Sequence, residues 1–589
     1  MADTLEDASF FLMQATLGAN YDTISNVAST GIETWLDNQL NSSFDNTDSF
    51  ENRVNQIWQD FRTQAITASG DNGSGNIIGV GNATLPYNFY FRMAWWHRTL
   101  AKANSNMNVN NPITNAKEID SNDLVRHRIA QALSEIIVIS DKSNLELDAL
   151  GMANFYDIFY ENAFGNYSDI LKEVSLHPCM GVYLTHLNNK KENGNQHPDE
   201  NYARELMQLF TIGLNELNSD ASEKKDANGK NIPTYNNDDI KQLAKVFTGI
   251  KASSYEYEWP AQISGFTNNS AIDLSDSSPK IHKTIPYINI RNQMIEESSL
   301  HDITTKSLLN TKVNISSGGT LISDVNKAID DLVAHANTAP FIAKKLIQQL
   351  TNSNPSASYI QAVASKFGTS GDLKAVIKEI FLNSEAKTSA KKLKSPLLRI
   401  TQLLRAFNTS NTSKKLWFRG DLVDNKLNQH VLSSPTVFNF YLPNYAPHGS
   451  IENANEVAPE FQLHNSATSI AYVNSMYELL FSDSNNKLNI TVPTQIHASE
   501  FFRTSDTTLA NDKLAFDFTS EKALATASDI ETLIKRISLV LTGKENISIL
   551  NEIKNTIDNE IGYSNKNWVV QTVVFMIAIS PEFTVLKKR

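Results

Sequence analysis

The run from His197 to Gly213 constrains the fold most, because it reads as a bounded amphipathic helix that must bury one face. At about 100° per residue, Glu200, Asn201, Arg204, Glu205 and Gln208 share one arc. Tyr202, Ala203, Leu206, Leu209 and Phe210 share the opposite one. Pro198 suits the first helical position, Asp199 and Glu200 complement the positive end of the dipole, and Gly213 suits a left-handed stop. Two fates are open to the polar arc. It can face water, with Glu200 and Arg204 as an i,i+4 pair worth a few tenths of a kcal/mol, or it can converge on a cleft and perform acid/base or metal chemistry.

Helical periodicity recurs along the chain. Helices are expected at 8–15, 30–40, 86–103, 124–140, 145–164 and 167–176, from about 237 to Gly249, through 321–386 and 396–407, and at 530–541 and 568–579. Residues 66–85 and 104–118 read as polar loops. Asp226 to Tyr235 suggests a small hairpin, and 253–306 suggests β-ribbon and loop. The expected class is mainly α, a multi-helix globular array with a small β-hairpin or ribbon insertion. The regions are 1–215, 216–320, 321–475 and 476–589, and no fixed-period repeat points to a solenoid. A chain of 589 residues exceeds one ordinary core, so two or more packed lobes are expected.

With 41% hydrophobic and 20% charged residues, the composition is that of a folded globular chain. A net charge of -12 argues against nucleic acid as a partner. No run approaches the roughly 20 apolar residues of a membrane span; the stretch from Trp568 to Ile579 is too short and ends at Ser580 and Pro581. The start, Met1 to Asp7, carries no signal peptide. Cys179 is the single cysteine, which excludes disulfide frameworks and cysteine-based metal clusters. Its apolar neighbours favour a buried structural thiol over a nucleophile paired with His177.

Several segments together resemble one large bacterial family, catalogued as domain of unknown function eighteen-hundred. The resemblance rests on Phe91 to His97, Leu124 to Ile136, Leu176 to Leu184 and Pro198 to Glu205. Further segments follow in the expected order: Ile232 to Tyr235, Val246 to Gly249, His301 and Asp302 with Lys306, Ser434 to Phe440, and Ala458 to Phe461. It implies a mostly helical, exported protein, periplasmic, cell-surface or secreted. It also implies a gene neighbour related to sulfatases and phosphatases as a partner, and no established reaction.

The chemistry-bearing candidates follow from residue type. Glu200, Glu205 and His301 are the expected catalytic groups: Glu205 as base or metal ligand, Glu200 as acid or second ligand, His301 as shuttle or ligand. Asn201 and Arg204 would orient substrate, with Arg128 as a further anchor. Glu205, His301 and Asp302 could hold a divalent metal, although Asp302 also reads as the cap of a following helix. Arg126 and Arg128 share an apolar helix with Glu135, and pairing with Glu173 or Glu205 is their structural alternative. The histidines show no zinc spacing, the Asp226 to Asp239 stretch departs from a calcium loop, and no phosphate-binding glycine motif occurs, so no nucleotide cofactor is expected. The expected activity is hydrolysis of an extracellular polymer or its ester substituents, on a polysaccharide or small-molecule substrate. The competing class is a non-catalytic binding or surface-assembly partner of a neighbouring enzyme.

Overall fold

The N-terminal helix, Leu5–Ala15, shows how the chain folds back on itself. Thr4 caps it, and its buried face carries Phe11, whose ring meets Trp35 and Phe381 edge-on. The Ser9 hydroxyl donates to the Leu539 carbonyl and the Gln14 amide to that of Ala386. The first residues are therefore locked between helices from the middle and the end of the chain. In this computed structural model the described residues are 3–44, 48–57, 88–104, 118–120, 123–146, 148–253, 292–412, 416, 418, 420–481 and 513–588. The expected loop 66–85 and most of 104–118 and 253–306 fall outside them.

The protein is mainly helical. Among the described residues the strands form four two-stranded ladders. Lys102–Asn104 pairs in parallel with Glu118–Asp120. The antiparallel pairs join Ile250–Lys251 to Ile295–Glu296, Lys306–Leu308 to Val313–Ile315, and Lys391–Leu393 to Val585–Lys587. The expected hairpin is present as bridges Asn215 to Pro233, Leu217 to Glu223 and Lys225 to Asn231. Its turn is closed by Asp226 Oδ1, which accepts from the Asn228 and Lys230 N–H groups. One contiguous apolar cluster runs from Ala8 to Phe583 and draws on all four sequence regions. No described helix is long and apolar enough to cross a membrane.

Several helical expectations need correction: the helix expected over 124–140 ends at Ser134, and the one expected to 103 ends at Leu100, before the strand Lys102–Asn104. The helix expected from Pro198 begins at Asn201, because Asp199 Oδ1 takes the Asn201 N–H while the Asp199 N–H is held by Asn189 Oδ1. After Asn201–Glu205 the backbone widens into a π-helical turn, Leu206–Phe210, with the Thr211 hydroxyl on the Leu206 carbonyl. Gly213 does close the run, at φ +69°, and a Cβ there would sit 2.9 Å from the Phe341 ring. Asp302 starts no helix. Its Oδ1 accepts from the Thr304 N–H and hydroxyl, and the chain continues into the strand Lys306–Leu308.

Candidate functional site

A cleft of about 450 Å³ opens where the π-helical turn, the second half of the helix Thr338–Leu350 and the segments 437–444 and 457–460 meet. This is a size typical of small-molecule sites. Leu209, Phe341, Val437 and Pro443 supply apolar wall, and Glu135, Tyr441, Glu460, Lys345, Gln348 and Gln349 supply the polar part.

Glu135 is built from its own helix. In Leu124–Ser134 and its cap, Arg128, Gln131 and Glu135 are spaced i, i+3, i+7 and fall on one face. Gln131 mediates between the two charges: its Oε1 accepts from Arg128 Nη1, and its Nε2 donates to Glu135 Oε1 at 2.7 Å. Gln429 Nε2 donates to the same oxygen at 3.1 Å, its amide oriented by the Leu397 N–H on Oε1. Tyr441 Oη donates to Glu135 Oε2 at 3.0 Å. Burial lifts the Glu135 carboxyl above its ordinary value, against the pull of Arg128 and the Tyr441 bond. Burial also raises the Tyr441 phenol, and the charges of Glu135 and Glu460 add to that rise.

Glu460 lies in the 3-10 turn Pro459–Gln462 and is 1% exposed. Its Oε1 pairs with Lys392 Nζ, while its buried Oε2 has no hydrogen-bond partner among the described residues. Lys392 Nζ also donates to the Gln348 carbonyl at 2.8 Å, and Arg128 Nη2 to the Gln349 carbonyl at 2.5 Å. Both cations thus satisfy carbonyls at the negative end of the helix Thr338–Leu350. On the same helix Lys345 Nζ donates to the Leu209 carbonyl at 2.9 Å, stands 4.4 Å from the Phe341 ring centroid, and is pulled down to about 8 by burial.

The residues expected to form a site are distributed over three places. Glu200 and Arg204 form the i,i+4 pair at 3.2 Å on a half-buried face, and exposed Asn201 reaches Thr185 Oγ1 at 3.5 Å. Glu205 instead turns inward, 7% exposed, with Oε2 unpartnered and its carboxyl raised by burial against the charge of Arg204. Its charge bears on Tyr183, whose phenol burial pushes up to about 12, and on Tyr235. Tyr235 Oη in turn reaches Gln208 on the cleft wall at 3.4 Å.

His301 and Asp302 belong elsewhere. His301 Nδ1 meets the Thr248 carbonyl at 2.7 Å and Nε2 meets Asp324 Oδ2 at 3.2 Å, so both ring nitrogens have protein partners. Asp324 also pairs with buried Lys306 at 2.7 Å, and Lys306 donates to the Asp302 carbonyl. Among the described residues no three His, Cys, Asp or Glu side chains are grouped to hold a metal, so Glu205, His301 and Asp302 are not gathered as one ligand set.

The arginines are also placed differently from the expected pairing with Glu173 or Glu205. Arg126 binds Asp123 Oδ1 and the carbonyls of Tyr160, Glu161 and Ser42, whereas Glu173 accepts from Asn162. Arg128 lies beneath the cleft, 1% exposed and held by Gln131 and Gln349. Cys179 is fully buried, its thiol raised by burial, and His177 Nδ1 accepts the Cys179 N–H rather than facing the sulfur as a base. Sequence reasoning missed Tyr441 and Glu460. The available signal was an acid next to a proline in Ala458 to Phe461 and the polar spacing from Arg128 to Glu135.

The fold and cleft thus define a mainly helical protein with a buried carboxylate wall facing a pocket. The chain belongs to the family described as a protein of unknown function, DUF1800, whose model matches residues 10–585. No curated protein and no solved structure matches it.

Proposed function

We propose that the cleft is a hydrolytic site in which Glu135 is the general base. The observation that carries this is a buried carboxyl on the cleft wall, raised by desolvation yet held by three neutral donors that fix both oxygens. Among the described residues Oε2 accepts only from Tyr441 and keeps a lone pair for a water proton. A water attacking an ester carbonyl carbon would pass its proton to Glu135. The carbon–oxygen bond to the leaving alcohol then breaks, and the proton moves to that leaving oxygen. Tyr441 positions the base, and Lys345 contributes positive charge on the same cleft. An ester-bearing extracellular polymer suits this chemistry; export and a sulfatase- or phosphatase-like partner rest on family resemblance.

Glu205 is the second candidate base, with its own open oxygen one helical turn before Gln208 and Leu209. Arg204, Asn201 and Glu200 would then act from the surface of that turn. The non-catalytic alternative draws on Leu214 and Leu442, which stand 57% and 41% exposed at the cleft.

The test is release of acetate from acetylated polysaccharides and p-nitrophenyl acetate by wild type, Glu135→Gln and Glu205→Gln. Loss in Glu135→Gln alone supports the assignment. Loss only in Glu205→Gln moves the base to that residue, and no release by wild type favours a binding protein.

A further inference from the structure

We infer that the cleft recognises a neutral, hydroxyl-rich ring, a sugar unit of a polymer, with Phe438 as its stacking face and Glu460 and Gln349 as its hydroxyl partners. The inference rests on the cleft being the substrate site. A sugar presents two C–H faces that suit an aromatic ring and a rim of hydroxyls that each donate and accept. The cleft carries both complements.

Phe438 is held outward by a tight turn. The Asn439 N–H returns to the Thr436 carbonyl at 3.1 Å, Thr436 Oγ1 accepts the Phe438 N–H, and Asn439 takes φ +68°. The ring is left 45% exposed on the cleft wall. On the same cleft, Glu460 Oε2 is a buried acceptor that lacks a donor among the described residues. Gln349 Oε1 stands 3.4 Å from Tyr441 Oη, whose one proton goes to Glu135 at 3.0 Å, so the half-buried Gln349 amide brings both an acceptor and an N–H₂ donor to the cleft. Glu460 and Gln349 thus bring acceptors and a donor to the same cleft, the complement of ring hydroxyls.

Charge selects a neutral ligand. Arg128 and Lys392 answer Glu135 and Glu460 from within the protein, and Lys345 is already held by the Leu209 carbonyl and the Phe341 ring. The exposed Lys344 and Glu223 of the cleft are of opposite sign and act on each other, so no field of one sign dominates.

The test is calorimetric titration and saturation-transfer NMR of the full chain with xylotetraose, cellotetraose, maltotetraose and chitotetraose, beside trigalacturonate as the anionic probe. The expected result is binding of at least one neutral oligosaccharide, with ring C–H protons saturated most. Phe438→Ala should weaken it about tenfold, and Gln349→Ala should weaken it several-fold. Phe438 is exposed, so its truncation tests recognition without emptying the core. Binding of trigalacturonate alone, no binding at millimolar sugar, or unchanged affinity in both variants overturns the inference. Sugar binding without ester cleavage would sink the hydrolytic proposal and leave this inference standing; ester cleavage without sugar binding would do the reverse.

Discussion

The network of His301, Lys306 and Asp324 and the wall of Glu135, Tyr441 and Glu460 are both buried and charged, yet they differ in completion. In the first, one Asp324 oxygen meets both the Lys306 ammonium and the His301 ring, with all three residues at most 2% exposed. In the second, Glu460 keeps an orphan oxygen and Glu135 is held by neutral donors beside a cleft. A finished ion network is bound up in holding the chain together. An unfinished one beside space is available to a ligand.

Breaking the finished network should produce the largest effect. Lys306→Met strands Asp324 in the interior and should lower unfolding free energy by about 3–5 kcal/mol in urea titrations, without changing how the remaining folded protein binds ligand. A loss under about 1 kcal/mol would place this network with the surface pairs.

The cleft should respond the other way. Glu135→Gln is isosteric and should cost only about 1–2 kcal/mol of stability, while ester hydrolysis falls about 100-fold or more. The pH profile sharpens this. A base works ionised, so the wild-type rate should rise as pH climbs through the raised Glu135 value, and that limb should vanish in the variant. Equal loss of folding and activity would erase the contrast between the two regions.

Asp148 supplies a buried acid governed by burial alone, which lifts it to about 7. The folded state holds this proton more tightly than the unfolded chain. Its stabilising contribution is therefore fully present below the ordinary carboxyl value of 3.8 and is lost as pH rises through about 7. Asp148→Asn should flatten the stability profile over that window by about 4 kcal/mol, measured by denaturation at pH 4, 6 and 8. An unchanged slope would show that solvent reaches this carboxyl.

The smallest effect belongs to the half-buried surface pair of Glu200 and Arg204. Glu200→Gln should shift stability by only a few tenths of a kcal/mol and leave cleft hydrolysis unaltered. A large activity loss would return the chemistry to the polar helix face.

Much of the helical order was legible because periodicity and stop signals are local. Tyr167–Leu176 and the expected hairpin stand where the pattern put them, and Gly213 closes its run. The start at Pro198 was misread because Asn189, distant from that local pattern, holds Asp199 as a cap. The inward turn of Glu205 was hidden for a similar reason: a helical wheel assumes regular α geometry and one buried arc, whereas this run passes into a π turn and packs on more than one side.

By itself the sequence determined the mainly helical class, the family, the single buried thiol and the polar spacing from Arg128 to Glu135. Those properties follow from composition, periodicity and residues near one another in the chain. Tertiary structure alone decided which charges were finished and which were left open. Tyr441 lies 306 positions from Glu135 and Lys392 lies 68 from Glu460, and the partnerships exist only after the core brings them together. Whether a carboxylate becomes a strut or a reactive group depends on burial and on its neighbours, and both are properties of the packed chain.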